Sequence, residues 1–481
     1  MNKILIILLI TLVACINQDS KSVSSISDKP NIIFILVDDL GKEWISCYGA
    51  DSIQTPNIDA LAEGGVLFNN FYVMPQCTPT RVSFLTGQYP FRHGWINHWD
   101  VPRWGGGAHF DENLNPSIGI EMKKAGYKTC IAGKWQIDDF RVEPDALTKN
   151  GFDEYCMWTG GEGNNPPSNE RYHNPYIFTS DSSKTYEGKF GPDIFKDFII
   201  NFIHKNKQSS FFIYYPMVLT HTPLVNTPDE ILDTKHGKHK AMVRYTDKIT
   251  GEIIKTLDEA EIRDNTIVIW TTDNGTTRGI EGSLNGVAVE GGKAQTTESG
   301  ICVPFIISWA GQLDEGQKSD ALIDITDMYP TFLEFAGADL KLALNDKLID
   351  GHSFKNILVN NSSKSNRKWI LGMGGQNNAR LTENGVENQF IFRDRVLRNK
   401  RFKLYVDTKK QPDKFYDLEE DPFEKNNIID SLNTPERKDN LKGLTDLISS
   451  FPGKDNDPVY HPNPPREWDV KITAESQDWK K

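Results

Sequence analysis

The chain has 481 residues, of which 38% are hydrophobic and 25% charged, a composition typical of folded proteins that excludes wholesale disorder. This length allows one large domain and a smaller one. The net charge of -12 argues against nucleic acid or an acidic membrane surface as a bulk partner, although a local pocket can still be basic.

The N-terminal segment predicts export. Lys3 gives a positive start, and the apolar run 4–13 is too short for a membrane-spanning helix but typical of a signal peptide. The sequence 12–15, Leu-Val-Ala-Cys, resembles a bacterial lipobox, which implies removal of residues 1–14 and lipid attachment to Cys15. The alternative is an ordinary signal peptide with a chance cysteine. Residues 15–29 are predicted to be a flexible tether, so we expect a protein held by lipid on a bacterial membrane, periplasmic or at the cell surface.

Apolar runs of strand length alternate with helical patterns from residue 30 to about residue 375. Continuous apolar runs are typical of strands covered on both faces, as in a parallel sheet between helices. The predicted strands are 32–37, 128–132, 211–217, 266–271 and 303–309. The predicted helices are 57–62, 192–205 and 330–336. This alternation predicts an α/β domain over residues 30–375.

Residues 376–481 show a different pattern. Short strand-like runs occur at 390–392, 396–397 and 402–406, and a proline-rich stretch covers 452–465. These features predict a smaller antiparallel C-terminal subdomain with an extended tail.

Two of the predicted strands lead into oxygen-bearing side chains. Strand 32–37 is followed by Asp38 and Asp39, and strand 266–271 by Asp273 and Asn274. Sites in open α/β sheets form beyond the carboxyl ends of strands, and hard oxygen ligands suit Ca²⁺ or Mg²⁺. The alternative is two unrelated turns, because both sequences are common in turns.

Cys77 begins the sequence Cys-Thr-Pro-Thr-Arg, which ends at Arg81. Pro79 suits the first turn of a helix and Gly87 its end, so Cys77 is predicted to lie at a helix N-terminus, where backbone N–H groups favour an anion. The pentad C-x-P-x-R, with Leu-Thr-Gly after it, resembles the signature of the type I sulfatases, in the alkaline-phosphatase-like superfamily. In that family the cysteine is oxidised to formylglycine, so the resemblance implies this change at Cys77 and a maturation enzyme that makes it.

The modification also fits the chemistry of the neighbouring carboxylates. A soft thiolate is a poor ligand for a hard ion, and nearby negative charge raises its pKa. The hydrated aldehyde offers two oxygens, one to bind the metal and attack sulfur, the other to expel sulfate afterwards. The resemblance implies a single Ca²⁺, with Mg²⁺ as the alternative, held by Asp38, Asp39, Cys77, Asp273 and Asn274.

Three more segments resemble family motifs: 133–135 with Lys134, 291–293 with Lys293, and 220–223 with His221. The resemblance implies that both lysines contact sulfate, that Arg81 holds the formylglycine and metal region, and that His221 protonates the leaving oxygen. Histidine suits that step near neutral pH. Taken alone, such lysines are usually solvated and such a histidine structural.

One position departs from the family pattern. The family usually has histidine after Gly-Lys-Trp, whereas this chain has Gln136, which can hydrogen-bond but cannot exchange a proton near pH 7. Either Gln136 orients the hydrate and another group takes the proton, or the second half-reaction is altered.

The resemblance extends over roughly residues 30–430. It implies a large mixed, mostly parallel sheet between helices, with a smaller antiparallel α+β subdomain, and hydrolysis of sulfate esters. Export favours a sulfated polysaccharide or its fragments as substrate. The alternatives are a phosphonate or phosphate ester hydrolase of the same superfamily and an inactive, glycan-binding lipoprotein.

Segment 93–109 is the least family-like and contains His98, Trp99 and Arg103. Aromatic groups there could stack on sugars and Arg103 could bind an anion, or the segment could be a packed loop. The remaining cysteines, Cys47, Cys130, Cys156 and Cys302, lack zinc-ligand spacing. Cys130 and Cys302 lie in apolar, strand-like runs and are expected to be buried thiols, with a disulfide as the alternative.

Overall fold

A computed structural model describes residues 29–96, 108–159, 171–359, 365–374, 379–382, 385–388, 395–452 and 461–462. The predicted signal peptide with Cys15, and the predicted sugar contacts His98, Trp99 and Arg103, lie outside the described residues.

The strands and helices fall close to the predicted positions. The strands are β1 Asn31–Val37, β2 Val66–Tyr72, β3 Ala108–His109, β4 Lys128–Lys134, β5 Glu154–Trp158, β6 Tyr176–Thr179, β7 Ser183–Thr185, β8 Phe211–Pro216, β9 Thr266–Thr272, β10 Glu281–Leu284, β11 Val287–Glu290, β12 Cys302–Ser308, β13 Gln317–Ser319, β14 Ile323–Asp324, β15 Ile370–Met373, β16 Ala379–Thr382, β17 Gly385–Asn388, β18 Arg395–Arg398, β19 Phe402–Val406, β20 Pro412–Asp417 and β21 His461–Pro462. The helices are α1 Pro56–Glu63, α2 Cys77–Thr86, α3 Pro90–His93, α4 Ile118–Lys124, α5 Ala146–Lys149, α6 Gly191–Asn206, α7 Lys235–Glu259, α8 Glu298–Ile301, α9 Met328–Phe335, α10 Leu340–Ala343, α11 Lys355–Val359 and α12 Pro435–Ser449.

One large sheet forms the centre of the protein, with eleven strands in the described part of the chain. Its order is β13-β2-β12-β9-β1-β8-β4-β5-β6-β7, with β14 beside β2. The central strands β9, β1, β8, β4 and β5 run parallel to one another, whereas β12 is antiparallel to both β9 and β2, and β6 is antiparallel to β5. The sheet is therefore mixed and mostly parallel, as predicted.

Helices cover both faces of this sheet, which explains why β1 is apolar at every position after Asn31. Ile32, Phe34 and Leu36 pack on the face covered by α2, α4 and α9, and the Phe34 ring stacks on Phe84 at 4.3 Å. The alternate residues of β1 face α1, α6 and α7. Burial of each large apolar side chain stabilises the fold by roughly 1.5–3 kcal/mol, so both faces hold the central strands in place.

A second sheet has the order β15-β18-β19-β20 and is antiparallel throughout. It confirms the predicted short strands at 396–397 and 402–406, and α12 packs against it through Leu444 and Ile448. The predicted strand 390–392 lies outside the described residues. The domain division at residue 375 stays a prediction, and β15 begins a few residues before it.

Two further properties concern cysteines and membranes. Cys47, Cys77, Cys130, Cys156 and Cys302 are free thiols, and all but Cys47 are buried, which confirms the prediction for Cys130 and Cys302. Within the described ranges, the helices are all too short or too polar to cross a lipid bilayer.

Candidate active site

The carboxylates meet because β1 and β9 are parallel neighbours. The chain leaves β1 at Asp38 and β9 at Asp273, so both strand ends open at the same edge of the sheet. The Asp39 backbone N–H donates to Asp273 Oδ1 at 3.1 Å, and the Asn274 amide donates to Asp39 Oδ1 at 2.8 Å. All four side chains are fully buried, so their charges interact through little water.

Helix α2 presents Cys77 to this cluster from its first turn. The helix begins at Cys77 and ends before Gly87, which has φ 67°, a left-handed conformation that glycine adopts without strain. Arg81 lies one turn further on, and its guanidinium is 2.5 Å from Asp273 and 3.6 Å from Asp38. Arg81 also donates to the Lys134 carbonyl oxygen at 3.0 Å, so it ties α2 to β1, β9 and β4.

Two lysines complete the charged cluster. The Lys134 ammonium, at the end of β4, is fully buried and 2.6 Å from Asp38 Oδ2. The Lys293 ammonium is 2.6 Å from Asp39 Oδ2, with 20% of its side chain exposed. Both lysines therefore neutralise carboxylates in the free protein, and Lys293 is the one that solvent reaches.

The carboxylates differ in how firmly they hold a proton. Burial alone raises the pKa of Asp38, but the charges of Lys134 and Arg81 hold it well below its usual value. Burial and then the Asp38 charge raise the pKa of Asp273 to about 7. Burial likewise raises the pKa of Asp39 above its usual value. Burial and the mutual repulsion of the carboxylates therefore oppose the ionisation of Asp39 and Asp273.

The donor set fits a hard divalent cation. Asp38 Oδ1 and Asn274 Oδ1 are buried acceptors without a hydrogen-bond partner, an arrangement that costs about 1–3 kcal/mol for each group when nothing satisfies it. Asp38, Cys77 and Asp273 can each offer an atom within 4.8 Å of the others, as can Asp38, Asp39 and His221. A hard cation such as Ca²⁺ or Mg²⁺ would satisfy both orphaned oxygens and favour ionised carboxylates. Copper or zinc would prefer softer ligands.

Gln136 lies beside Cys77. It follows β4 with φ 57°, and the Cys77 thiol donates to its Oε1 at 3.3 Å. Gln136, where the family pattern usually has histidine, is thus in direct contact with the sulfur of Cys77. An amide can donate or accept at this position, but it cannot carry a proton away.

His221 faces the cluster from the loop after β8. Its Nδ1–H donates to the Thr222 carbonyl at 2.6 Å, which leaves Nε2 directed at Asp39 Oδ2, 3.8 Å away. The Tyr172 hydroxyl is 2.5 Å from the His221 carbonyl and holds this loop. Burial and then Lys293 lower the pKa of His221 well below its usual value, so the free protein holds a neutral imidazole.

A cavity of about 340 Å³ opens over Cys77. It is lined by Gln76, Cys77, Gln136, His221, Thr277, Arg278, Lys293 and Ala294. Sequence reasoning missed Thr277 and Arg278, although both follow closely after Asn274 in the chain. A larger cavity, of about 1020 Å³, lies beside α6 and contains none of these groups.

The structure brings together every predicted site residue that it describes. These are Asp38, Asp39, Cys77, Arg81, Lys134, Gln136, His221, Asp273, Asn274 and Lys293. Their individual catalytic and ligand roles stay predictions.

The fold and the site define an alkaline-phosphatase-like α/β protein with a buried cluster of acidic residues, able to hold a metal ion, at the carboxyl edge of its sheet. The family model described as Sulfatase matches residues 30–338, and the chain belongs to this family. A second model, N-sulphoglucosamine sulphohydrolase C-terminal, matches residues 293–449 and so includes β15, β18, β19, β20 and α12.

Several known proteins resemble the chain. N-acetylgalactosamine-6-sulfatase of Homo sapiens is 31% identical over 348 residues, covering 67% of this chain and 64% of its own length. N-acetylgalactosamine-6-O-sulfatase of Bacteroides thetaiotaomicron is 28% identical, covering 91% of this chain and 96% of its own length. The crystal structure of Ps i-CgsB matches with a TM-score of 0.71 and 24% identity, covering 87% of this chain and 93% of that one. This last likeness shows the shared fold.

Proposed function

We propose that the protein is a sulfatase that hydrolyses sulfate esters of a sulfated polysaccharide or its oligosaccharides. The observation that carries the proposal is Cys77 at the N-terminus of α2, beside Asp38 and Asp273 and within the cavity reached by Lys293. A helix N-terminus and two lysines favour a tetrahedral anion at this point.

We further propose that Cys77 is converted to formylglycine and that Ca²⁺ is the resident cation, with Mg²⁺ as the alternative. Asp38, Asp39, Asp273, Asn274 and the modified Cys77 would hold the ion; the orphaned oxygens of Asp38 and Asn274 support this set. When present, the ion and the aldehyde hydrate supply an activated hydroxyl nucleophile and a second hydroxyl for sulfate release.

The side chains of this protein then have distinct tasks. Lys134 and Lys293 are assigned to the sulfate oxygens, where positive charge stabilises the transition state. Arg81 holds Asp273 and Asp38 in position. His221 is assigned to protonate the leaving oxygen from Nε2. For this the bound anion must offset the burial and the Lys293 charge that lower the pKa of His221 in the free protein. Gln136 orients the hydroxyl groups at residue 77.

The names of relatives support a carbohydrate substrate. The human and Bacteroides thetaiotaomicron relatives are named for N-acetylgalactosamine-6-sulfate, and a relative from Formosa agariphila, 26% identical, is named as an ulvan-active sulfatase. For this chain we propose a sulfated glycan without naming the sugar. The N-terminal pattern supports export and a lipid on Cys15, with the enzyme on a bacterial membrane.

The decisive experiment measures Cys77 and activity on the same preparation. Protein made with a formylglycine-generating enzyme should show, by peptide mass spectrometry, loss of the thiol mass at residue 77, and should release sulfate from sulfated oligosaccharides. Cys77→Ala should keep the fold and lose turnover. Faster hydrolysis of an aryl phosphate than of the matched aryl sulfate would contradict the proposal, and so would activity from unmodified Cys77.

The metal assignment has its own test. Chelation should abolish turnover and lower the melting temperature, and Ca²⁺ should restore both, because a ligand at 100 times its Kd stabilises the folded state by about 2.7 kcal/mol. Asp273→Ala should remove the calcium-induced rise in melting temperature. Asp258→Ala, at an exposed position on α7, should retain it. An undiminished rise in Asp273→Ala would show that the ion binds elsewhere.

A further inference from the structure

Arg278 lies at the rim of the cavity that contains Cys77, and its side chain is exposed. Its position is fixed by a specific contact, because the guanidinium Nε donates to the Lys293 carbonyl oxygen at 3.0 Å. This bond uses one of five N–H donors and directs the group along the segment that carries Lys293.

The loop that carries Arg278 is itself held firmly. The Lys293 backbone N–H donates to the Thr276 carbonyl at 3.0 Å, and the Gly279 N–H donates to Glu290 at 2.7 Å. The two segments approach so closely that a Cβ added at Gly291 would lie 2.2 Å from the Thr277 carbonyl oxygen. The guanidinium is therefore positioned before any ligand arrives, which lowers the entropy cost of binding.

Charge distinguishes Arg278 from the other cations of the site. Lys134, Lys293 and Arg81 each lie within 2.6 Å of an aspartate oxygen. Around Arg278, by contrast, the described residues place no carboxylate within ion-pair distance and no acceptor on Nη1 or Nη2. In a chain of net charge -12, the cavity rim thus carries a positive group with free donors.

We propose that Arg278 determines specificity by binding a second anionic group of the substrate, next to the sulfate that is hydrolysed. The free Nη1 and Nη2 donors match the oxygens of a carboxylate or a sulfate, which a guanidinium can bind through two parallel hydrogen bonds. This inference rests on the proposed function, because it places the scissile sulfate at Cys77. A glycan with a uronate or a second sulfate close to the scissile ester has the required chemistry.

Three matched disaccharides test the proposal: one with only the scissile sulfate, one with an added carboxylate and one with an added second sulfate. In Arg278→Gln, kcat/KM for a charged substrate relative to the neutral-neighbour substrate should fall about 10–100-fold, the effect of one to two charge-assisted hydrogen bonds. In Arg278→Lys this ratio should fall less, since lysine keeps the positive charge but not the two parallel N–H donors of the guanidinium. Whichever charged disaccharide loses kcat/KM shows whether Arg278 binds a carboxylate or a second sulfate.

Two controls separate this result from other causes. Lys409→Gln removes the same charge at an exposed turn between β19 and β20 and should leave the ratio at its wild-type value. Calorimetric binding in a Cys77→Ala background measures the Arg278 contribution without turnover. Failure of the wild type to release sulfate would therefore contradict the proposed function. The calorimetric binding measurement would still test the role of Arg278. Equal affinity of Cys77→Ala and Cys77→Ala/Arg278→Gln for all three ligands would overturn the inference.

Discussion

The contact between Gln136 and Cys77 gives a prediction about turnover. Its Oε1 is 3.3 Å from the Cys77 sulfur, and an amide there can align a hydroxyl but cannot remove its proton. Gln136→Ala should therefore slow turnover moderately, about 10-fold, with an unchanged pH profile, because no titrating group is lost. Steady-state kinetics between pH 5 and pH 9 will check this. A shifted pH profile would mean that Gln136 controls a proton transfer through another group.

His221 is expected to behave differently because its proposed task depends on the leaving group. General-acid assistance is worth on the order of 10²–10⁴ in rate, so His221→Ala should slow a sugar sulfate by about that factor. An activated aryl sulfate needs little protonation and should be slowed far less. The measurement compares kcat for both substrates where sulfuryl transfer limits the rate. Equal losses on the two substrates would remove His221 from the role of acid.

At the scale of single residues, the sequence predicted which side chains lie together and not how they pair. The aspartates and Cys77 could be placed from apolar runs and from Pro79 and Gly87. Lys134, Lys293 and His221 were predicted from the resemblance to the family. The pairing of Lys134 with Asp38 could not be predicted, since 96 positions separate them and strand order decides which lysine meets which aspartate. Arg278 was missed because an arginine in a polar loop has no pattern of its own.

At the scale of the elements, a buried carboxyl joins the loops that follow β1 and β9. The Thr276 hydroxyl donates to Glu43 at 2.5 Å and accepts from the Gly41 N–H at 2.9 Å. Burial raises the pKa of Glu43 to about 7 from an ordinary value of 4.5. The folded state therefore binds this proton more tightly than the unfolded chain does, and the contribution of Glu43 to stability falls as pH rises from about 4.5 to 7.

Glu43→Gln should remove this pH dependence, because glutamine keeps the acceptor for Thr276 and never ionises. Between pH 5 and pH 8 the variant should gain about 2 kcal/mol of unfolding free energy relative to the wild type. Urea unfolding at both pH values, with the same metal concentration, gives the comparison. Glu281→Gln, at an exposed position on β10, is the matched control and should follow the wild type. Parallel curves for the wild type and Glu43→Gln would show that Glu43 does not titrate in this range.

The strands that could be predicted from the sequence are those buried along their whole length. β1, β8, β9 and β12 are buried at every position because helices cover both faces, and the apolar runs within them are visible in sequence. The hairpin of β10 and β11 was not predicted, since its residues are largely exposed and lack an apolar run. Strand order was also beyond the sequence pattern, because it depends on contacts between distant segments.

At the scale of the whole molecule, a buried charged network joins the two sheets. Lys403 on β19 is fully buried and lies 2.9 Å from both Glu298 on α8 and Glu424. The Tyr72 hydroxyl, at the end of β2, donates to Glu298 at 2.6 Å. Because α8 follows the Lys293 segment in the chain, this network links the antiparallel sheet to the part of the protein that supplies a lysine to the cavity.

Removing Lys403, the cation that pairs with both glutamates of this network, should destabilise the whole protein. Burial raises the pKa of Glu298 and the Lys403 charge opposes that rise. Lys403→Met would leave Glu424 without its lysine partner and Glu298 with only Arg398, 3.6 Å away. Breaking a buried pair in this way costs about 3–5 kcal/mol at pH 7. The loss should shrink as pH falls, because the carboxyl groups can then protonate and no longer bear unpaired charge.

Urea unfolding of Lys403→Met at pH 5 and pH 7 measures this loss, with Lys409→Met, on an exposed turn of the same antiparallel sheet, as the matched control. The control should unfold like the wild type, because a solvated lysine contributes little. If Lys403→Met matched the control at pH 7, the two sheets would be held together by their apolar contacts, and the charged network would contribute orientation without net stability.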